Sequence, residues 1–410
     1  MSLPATPVHF YIYDHFPRAA DLLRCPTVRA HAPFSQPMGQ FFAEVYATLD
    51  LMHHPWRVNT PEAASLFYVP LLAKLSRVAG SCALGEEPRS SHRERMAASA
   101  AMLAASPWFH RANGSDHLFV CTSLDMKPLL GKRLFSTISA SQVMHAVHYV
   151  PRGAASPANC QLLVPYLAHS VAAAQAVQAS PYERVPGTRR FLAHFRGRAS
   201  SKVRSVLGRR YSRQPNRILL TDWWTTAACN VRNCVPGQIM DRRGGKRVNE
   251  TSFSWVVMAA EMADSTFCLV PPSESPESSR LYLAVVAGCV PVFLSDDYVG
   301  AFPHSVPWER FTLRVPQAEL LQPSFILTSH LLTVANTTRL GEMQWLLRAY
   351  AADTLWHLPG SRVATNLLEL AARARGPQFC GGGGSVAAAR AAARSHGIWW
   401  TLDHGVARTS

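Results

Sequence analysis

The chain has 410 residues, and its 41 lysine and arginine residues outnumber its 26 aspartate and glutamate residues, giving a formal net charge of +15. A hydrophobic fraction of 48% and a charged fraction of 16% are typical of a globular protein and exclude wholesale disorder. No apolar run reaches the roughly 18 residues that a membrane-spanning helix needs. No signal-peptide pattern precedes the first strand-like run, so we expect any membrane anchor to lie outside this chain.

Arginine supplies nearly all of the positive charge, because the sequence holds only five lysines. This bias accompanies alanine-rich runs and indicates codon composition rather than a general affinity for polyanions. The segment 184–217 differs, because it carries ten arginines, one lysine and no acidic residue. Such a local excess predicts either a phosphate-bearing ligand or a solvated basic face. Since no nucleic-acid motif or aromatic interleaving accompanies it, we expect no nucleic-acid partner.

The nine cysteines include no C-x-x-C pair and have no histidine at zinc-finger spacing, so we expect no structural zinc. Their odd number argues against a fully paired disulfide framework. Cys268 and Cys289 lie in apolar, strand-like runs, and the sequence predicts that both are free buried thiols.

In chain order, the first half alternates short apolar runs with helical patterns. Strand-like runs cover residues 8–13, 65–70 and 117–121, and helical patterns cover residues 40–51 and an alanine-rich stretch that ends near 106. The second half repeats the alternation, with strands predicted near residues 191–194, 217–221, 266–270 and 290–294. Strands separated by helices predict an α/β fold with parallel sheets.

The shift in composition before residue 186 marks the predicted boundary between two such α/β units, which we expect to face a cleft. The predicted organisation is an amino-terminal domain over 1–185, a second domain over 186–340, helices over 341–375 that pack back on the domains, and a low-complexity tail over 376–410.

The stretch 265–302 is the richest in chemistry. A buried strand over 266–270 ends at two prolines, and Ser275, Pro276 and Glu277 predict a helix start with serine as the N-cap. A loop between a strand and a helix favours an anion, and Arg280 supplies a fork that grips a diphosphate. The alternative is a serine-rich cap on an ordinary crossover helix.

Several ordered blocks resemble the exostosin-like glycosyltransferases of family 47. In the second half they are Ser265 to Pro271, Ser275 to Leu281 and Ala287 to Val292, followed by Ser295-Asp296, Ala301-Phe302-Pro303 and Trp308. In the first half they are Tyr11 to Asp14, Glu44, Arg57 to Pro70, Asp116 to Val120 and Phe195 to Arg198. The resemblance covers roughly Phe10 to Leu332.

The resemblance implies a GT-B fold, in which two Rossmann-like domains bind a glycan acceptor and a nucleotide sugar. It implies transfer of a sugar, from a UDP-sugar, to an oligosaccharide or polysaccharide of a cell wall or matrix, with inversion at the anomeric carbon. In this fold basic side chains and amides usually hold the diphosphate, so we expect no metal cofactor. The donor-binding candidates are Arg196, Arg204, Ser273, Ser275, Ser278, Ser279 and Arg280.

An inverting transferase needs a base that accepts the proton of the acceptor hydroxyl. Asp14 and Asp125 each follow a predicted strand, where its carboxyl end would face the cleft. His15 is the alternative, because histidine titrates near neutral pH. The three residues remain open as catalytic candidates.

The chain departs from the family pattern at three places. Ser273-Glu274 stands where relatives carry Gly-Asp, Leu283 stands where an acidic residue is expected to bind the ribose, and Leu124 replaces a histidine. These departures support an alternative, in which the protein is a catalytically silent paralogue that binds glycan or supports another transferase as a hetero-oligomer. The resemblance further implies the Golgi, with membrane attachment only through an anchor absent from this chain.

Overall fold

Parallel strands alternate with helices in the computed structural model. The residues that it describes are 7–13, 15–16, 19–24, 42–78, 88–123, 126–148, 160–168, 189–197, 200–211, 218–222, 238–240, 247–249, 255–273, 275–356 and 358–375. The predicted tail from 376 onward lies outside these residues.

The strands are β1 (Phe10–Ile12), β2 (Leu66–Tyr68), β3 (His117–Val120), β4 (Met144–Val147), β5 (Cys160–Leu163), β6 (Phe191–Gly197), β7 (Ile218–Asp222), β8 (Gln238–Met240), β9 (Arg247–Asn249), β10 (Ser265–Val270), β11 (Val290–Phe293) and β12 (Leu313–Arg314). The α-helices are α1 (Ala19–Arg24), α2 (Ala43–Met52), α3 (Ala73–Val78), α4 (Pro88–Ala105), α5 (Pro107–Arg111), α6 (Met126–Ser139), α7 (Lys202–Tyr211), α8 (Trp255–Ala263), α9 (Arg280–Val286), α10 (Trp308–Phe311), α11 (Gln317–Leu321), α12 (Leu327–Ala335), α13 (Arg339–Ala349), α14 (Ala351–Thr354) and α15 (Val363–Ala374).

The chain divides into two compact units. The first consists of Met1–Ala176, Gly300–Val306 and Ala349–Ala388, and the second of Val177–Val299, Pro307–Arg348 and Ala389–Ser410. Each unit contains one parallel sheet, so the α/β class predicted from the sequence is confirmed.

The first unit is built on a five-stranded sheet in the order β1-β2-β3-β4-β5. Each strand therefore lies beside the strand that precedes it in the chain, and the paired strands run parallel. The residues of β2, β3 and β4 are all buried, which is the pattern of strands covered on both faces. Helix α15 packs against α2 and β5, so the last described helix returns to the core of this unit.

The second unit is built on a five-stranded parallel sheet in the order β12-β11-β10-β6-β7, and β8 and β9 form a separate antiparallel pair. The order reverses beside β6. The chain steps from β6 to β7 on one side, and the later strands β10, β11 and β12 extend from the other side. Such a reversal leaves a crevice at the carboxyl ends of the two central strands, where open α/β sheets bind ligands.

The prediction that Cys268 and Cys289 are free thiols is wrong. The two residues form a disulfide bond with their Cα atoms 5.7 Å apart. They meet because β10 and β11 are neighbours and pair Cys268 with Pro291, two residues after Cys289. An odd cysteine count excludes complete pairing but excludes no single bridge. Cys160 is also disulfide-bonded, whereas Cys121 is a buried free thiol.

Among the described residues, no helix combines the length and the apolar character that crossing a membrane requires.

Candidate functional site

The candidate site lies in the second unit, where the carboxyl ends of β6 and β10 are adjacent. Strand β6 ends at Arg196 and Gly197, and β10 runs into the prolines 271 and 272 and the serine-rich loop. Serine side chains join the two ends: Ser201 Oγ donates to the Pro272 carbonyl at 2.9 Å, and Ser200 and Ser273 bring their hydroxyls to 3.1 Å. The reversal of strand order therefore coincides with the predicted donor-binding residues.

Arg280 and Arg204 both pack on the ring of Phe195. Their guanidinium carbons lie 4.8 and 5.5 Å from the ring centroid, respectively. A cation over an aromatic face is attracted by the ring quadrupole, which stabilises each guanidinium away from bulk water. The sequence predicted both arginines as diphosphate ligands, and the structure brings them together.

The two arginines differ in what they bind. Arg204 Nε donates to the Pro272 carbonyl at 2.9 Å and Nη2 donates to the Pro271 carbonyl at 3.4 Å, so this side chain holds the end of β10 in place. Arg280 Nη2 donates to the Arg196 carbonyl at 2.6 Å, while its Nε is shielded from solvent and has no hydrogen-bond partner among the described residues. Arg280 as a whole is only partly buried, and its Nη1 binds no described residue, so Nη1 keeps donor capacity for a ligand.

The charge of Arg280 is not balanced by the residues around it. No described carboxylate forms an ion pair or a hydrogen bond with this guanidinium. Burial, and next the nearby cation of Arg204, lower the pKa of Arg280 to about 9, so the side chain still carries its charge at neutral pH. A shielded cation beside a second cation is stabilised by an anion, and the site therefore favours a negatively charged ligand.

Gly197 permits the approach of Arg280. A Cβ atom at this position would lie 2.9 Å from Arg280 Nη2 and 3.0 Å from Cζ of the Phe195 ring. Both distances are shorter than ordinary contacts, so a side chain here would push the guanidinium from its place. The glycine is needed for the close approach of a side chain to the backbone.

Arg196, a third predicted donor ligand, pairs with a carboxylate within the second unit. Its Nε donates to Glu261 Oε2 at 3.0 Å, and Nη2 donates to Oε1 of the same carboxylate. His194 Nε2 lies 3.1 Å from Glu261 Oε2. Burial raises the pKa of Glu261, but hydrogen bonds from His194 and Arg196 outweigh this effect and hold the pKa below its usual value. The side chain of Arg196 is thus tied to α8 and positions the end of β6.

Glu261 was not predicted from the sequence. It lies on α8, which precedes β10, and its partners belong to β6, more than sixty residues earlier. The available signal was one acidic residue within the apolar run from Trp255 to Ala263, which predicts a buried partner of opposite charge.

The serine-rich loop has a different structure from the one predicted. Helix α9 begins at Arg280, and its N-cap is Ser279, whose side chain makes no capping hydrogen bond. The prediction of a helix start at Ser275 is wrong, because Ser275 Oγ donates to the Glu277 carbonyl at 2.8 Å and its own carbonyl accepts the Ser273 amide at 2.9 Å. These local bonds hold Ser273 and residues 275–277 outside the helix.

Ser278 and Ser279 help to shape the start of α9. Ser278 Oγ accepts the Arg280 amide at 3.3 Å, and its backbone exchanges hydrogen bonds with the hydroxyl of Tyr298. Ser279 is buried. The loop amides of residues 278 and 280 are therefore already occupied by partners within the protein.

Of the three catalytic candidates, the structure describes only His15. His15 follows β1 and is exposed, whereas Asp14 and Asp125 lie outside the described residues. Next to Asp14, the hydroxyl of Tyr13 lies 2.7 Å from His117 Nε2, and His117 Nδ1 lies 2.7 Å from Asp116 Oδ1. Since the carboxylate accepts the Nδ1 proton, His117 Nε2 accepts the Tyr13 hydroxyl proton. This buried chain fixes the residue that precedes Asp14.

Glu44 is another buried acidic group of the first unit. It is fully buried on α2, its Oε1 accepts the Leu75 amide at 2.8 Å, and its Oε2 has no hydrogen-bond partner among the described residues. Burial raises the pKa of Glu44 to about 7, against the smaller opposing effect of the backbone hydrogen bonds. The sequence marked Glu44 only as part of a resemblance, and the structure identifies it as a proton-binding group near neutrality.

No group of three metal-ligating side chains occurs among the residues that the structure describes. Of the acidic pair after β11, Asp296 accepts the Gln317 amide at 3.0 Å through Oδ1 and caps the start of α11.

Comparisons with known proteins identify the family of the chain. The family model of the exostosin GT47 domain matches residues 5–330. The chain is 26% identical over 344 residues to a probable glucuronosyltransferase of Oryza sativa subsp. japonica, which covers 80% of this chain and 70% of that protein. It is 25% identical over 299 residues to the probable beta-1,4-xylosyltransferase IRX10L of Arabidopsis thaliana, which covers 70% of this chain and 64% of that protein.

A third relative is a probable glucuronoxylan glucuronosyltransferase of Arabidopsis thaliana, which is 26% identical over 297 residues. That match covers 68% of this chain and 56% of the relative, so the chain spans between about half and about two thirds of the length of several relatives that it matches. Because the family model covers most of the sequence, the chain belongs to the exostosin GT47 family of glycosyltransferases.

Proposed function

We propose that this protein transfers a sugar from a nucleotide sugar, specifically a UDP-sugar, to a cell-wall or matrix glycan with inversion at the anomeric carbon. Arg280 carries the proposal. It is a partly buried cation whose Nη1 binds no described residue, and it lies beside Arg204 where the strand order reverses. Two adjacent guanidinium groups match the charge of a diphosphate.

In the proposed reaction, the acceptor hydroxyl attacks the anomeric carbon while the bond from that carbon to the diphosphate oxygen breaks. The diphosphate leaves with the bonding electrons, and Arg280 stabilises its charge. A base accepts the hydroxyl proton, and Asp14, His15 and Asp125 remain the candidates. The positive charge of Arg280 and Arg204 takes the place that a metal ion has in other transferases, so no metal is required.

Calorimetric titration with UDP tests the proposal. We expect Arg280→Ala to abolish UDP binding, and Arg280→Lys to restore only part of it because an ammonium group lacks the fork of the guanidinium. Arg190→Ala is the matched control. Arg190 is exposed, packs on Phe191 at 5.0 Å and lies at the amino end of β6, away from the site. Equal UDP affinity of Arg280→Ala and the unsubstituted protein would refute the proposal.

A second candidate function is supported by Leu283, which is fully buried in α9 and has no group that binds a ribose hydroxyl. In that case the protein is catalytically silent and acts as a glycan-binding or scaffold partner in a hetero-oligomer with another transferase. Folded protein that binds glycan but does not bind UDP would favour this candidate.

We place the protein in the Golgi, as an oxidising compartment suits its disulfide bonds. The bridge between Cys268 and Cys289 is structural, and such bridges persist in the secretory pathway and are rare in the cytosol. Immunofluorescence of the full-length protein alongside Golgi markers tests this placement, and a cytosolic signal would contradict it.

A further inference from the structure

A groove of about 520 Å³ lies in the first unit, apart from the residues discussed above. Residues of α3, α4 and α6 line it. These helices pack against one another, and α3 and α6 are the first helices after β2 and β3. The groove is therefore formed by the helices that follow the carboxyl ends of two central strands.

The rim of the groove is strongly basic. Arg77, Arg93, Lys132 and Arg133 line it and are exposed, and its lining contains no acidic residue. None of these four cations forms an ion pair with a described residue. Four cations around one concavity that pair with no described carboxylate create a positive potential that attracts anions.

The floor of the groove is rigid and partly apolar. Ala97 and Pro128 contribute apolar surface, since Met96 and Leu129 are almost fully buried. His92 joins the three helices, because its Nε2 lies 2.9 Å from the Leu129 carbonyl and its Nδ1 lies 2.9 Å from Ser76 Oγ. The Leu129 carbonyl accepts the Nε2 proton. Burial lowers the pKa of His92 and favours the neutral ring, in which Nδ1 accepts the serine hydroxyl proton. The positive charge of the groove therefore comes from the four rim cations, and His92 links the helices that carry them.

Gly131 breaks α6 just before the two basic residues that this helix contributes to the rim. Its φ of 72° and ψ of 164° interrupt α6, and Lys132 and Arg133 follow the interruption directly. A side chain at this position would meet no atom within 4 Å, so the backbone angle, not lack of space, requires glycine. The position of Lys132 and Arg133 at the groove therefore depends on the kink at Gly131.

We propose that this groove binds an anionic sugar of the acceptor glycan, in which a carboxylate or a sulfate contacts the basic rim and the sugar ring lies on the apolar floor. The inference rests on the proposed function, since it takes the ligand to be the acceptor of a glycosyltransferase. The charge of the rim selects the acidic unit, and a concave site suits an oligosaccharide more than a flat membrane surface.

The test is calorimetric titration of the full chain with three probes of equal length: an oligogalacturonate, a sulfated oligosaccharide and neutral xylo-oligosaccharide. We expect binding of one or both anionic probes, weakening with added salt, and no binding of the neutral probe. The variant Arg93→Glu/Lys132→Glu should weaken anionic binding about tenfold. The conservative variant Arg93→Lys/Lys132→Arg should retain it, and the ring signals of His92 should shift when the probe binds.

Arg24→Glu is the matched control, because Arg24 is an exposed cation of the same unit outside the groove and should leave binding unchanged. Equal affinity for neutral and anionic probes, unaltered binding in Arg93→Glu/Lys132→Glu, or tighter binding of anionic phospholipid vesicles or RNA would each overturn the proposal. UDP titration separates the two proposals: groove variants should bind UDP normally, whereas Arg280→Ala should bind the anionic glycan normally.

Discussion

Arg280 Nη2 donates a hydrogen bond to the backbone carbonyl of Arg196 at 2.6 Å, which ties the first residue of α9 to the end of β6. Arg196 in turn is bound through its side chain to Glu261 on α8. Three elements that are distant in sequence thus meet at one point of the second sheet. The position of the ligand-facing cation depends on each of them.

Gly197→Ala should weaken UDP binding about tenfold or more, because the new methyl group would lie 2.9 Å from Arg280 Nη2 and displace the guanidinium. Calorimetry measures the affinity, and thermal unfolding shows whether the variant remains folded. A folded Gly197→Ala protein with unchanged UDP affinity would contradict the assigned role of Arg280.

Glu261→Gln should destabilise the second unit by about 1–3 kcal/mol at neutral pH, because Arg196 and His194 lose a charged acceptor. The folded-state pKa of Glu261 lies below the usual 4.5, so the carboxylate contributes stability above that pH and loses it as the pH falls. Urea unfolding should therefore show a difference between variant and parent that shrinks in acid.

The matched control is Glu342→Gln. Glu342 pairs with Arg310 at 3.2 Å, but the side chains are 58% and 56% exposed, so the pair contributes less than about 1 kcal/mol. Equal destabilisation by the two substitutions would show that the Glu261 cluster is no stronger than a surface pair.

Removing the bridge between Cys268 and Cys289 should cost about 3 kcal/mol, because the bridge closes a loop with a sequence separation of 21. Cys268→Ala, Cys289→Ala and the double variant should be destabilised almost equally, since either single change removes the bond. Chemical denaturation of all three measures this. Additive effects of the single variants would argue that the bond does not form.

Glu44→Gln tests the buried carboxyl of the first unit. The folded-state pKa of Glu44 is raised from 4.5 to about 7, so the folded protein holds a proton that the unfolded chain releases. The stability gained from this bound proton is fully present below about pH 4.5. The free energy of unfolding falls by up to about 3 kcal/mol as the pH rises to about 7.

The difference in unfolding free energy between Glu44→Gln and the parent should therefore grow in favour of the variant as the pH rises through this range. Glu62→Gln, at an exposed position, is the control and should show no such trend. A constant difference across the range would mean that Glu44 ionises in the folded protein as it does in water.

The sheets could be predicted wherever the strands are uninterrupted apolar runs, as in β2, β3, β10 and β11. Strand β4 was missed, because His145 interrupts its apolar pattern. The structure buries this histidine and binds its Nε2 to the Cys121 carbonyl at 2.7 Å. A polar residue whose partner lies at the end of the preceding strand resembles a loop residue when only the sequence is read.

The candidate site could be predicted only in part, for a similar reason. Arg280 and Arg204 were identified by local charge and by resemblance, and the structure joins them through Phe195. The Glu261 cluster and the turn at Ser275 depend on contacts that local patterns do not encode. Side chains that work through partners distant in sequence require the fold before they can be recognised.

The strand order of the second sheet has a consequence for how the protein folds. Phe191 of β6 pairs with Ser265 of β10, so a long stretch of chain must be closed before the two central strands meet. The last neighbours of the first sheet, such as Met144 and Cys160, are much closer in sequence. Closing longer loops costs more entropy and slows assembly. We expect the crevice beside β6 to be among the last parts to form, so a chain trapped late in folding would keep its first sheet and lack its anion site.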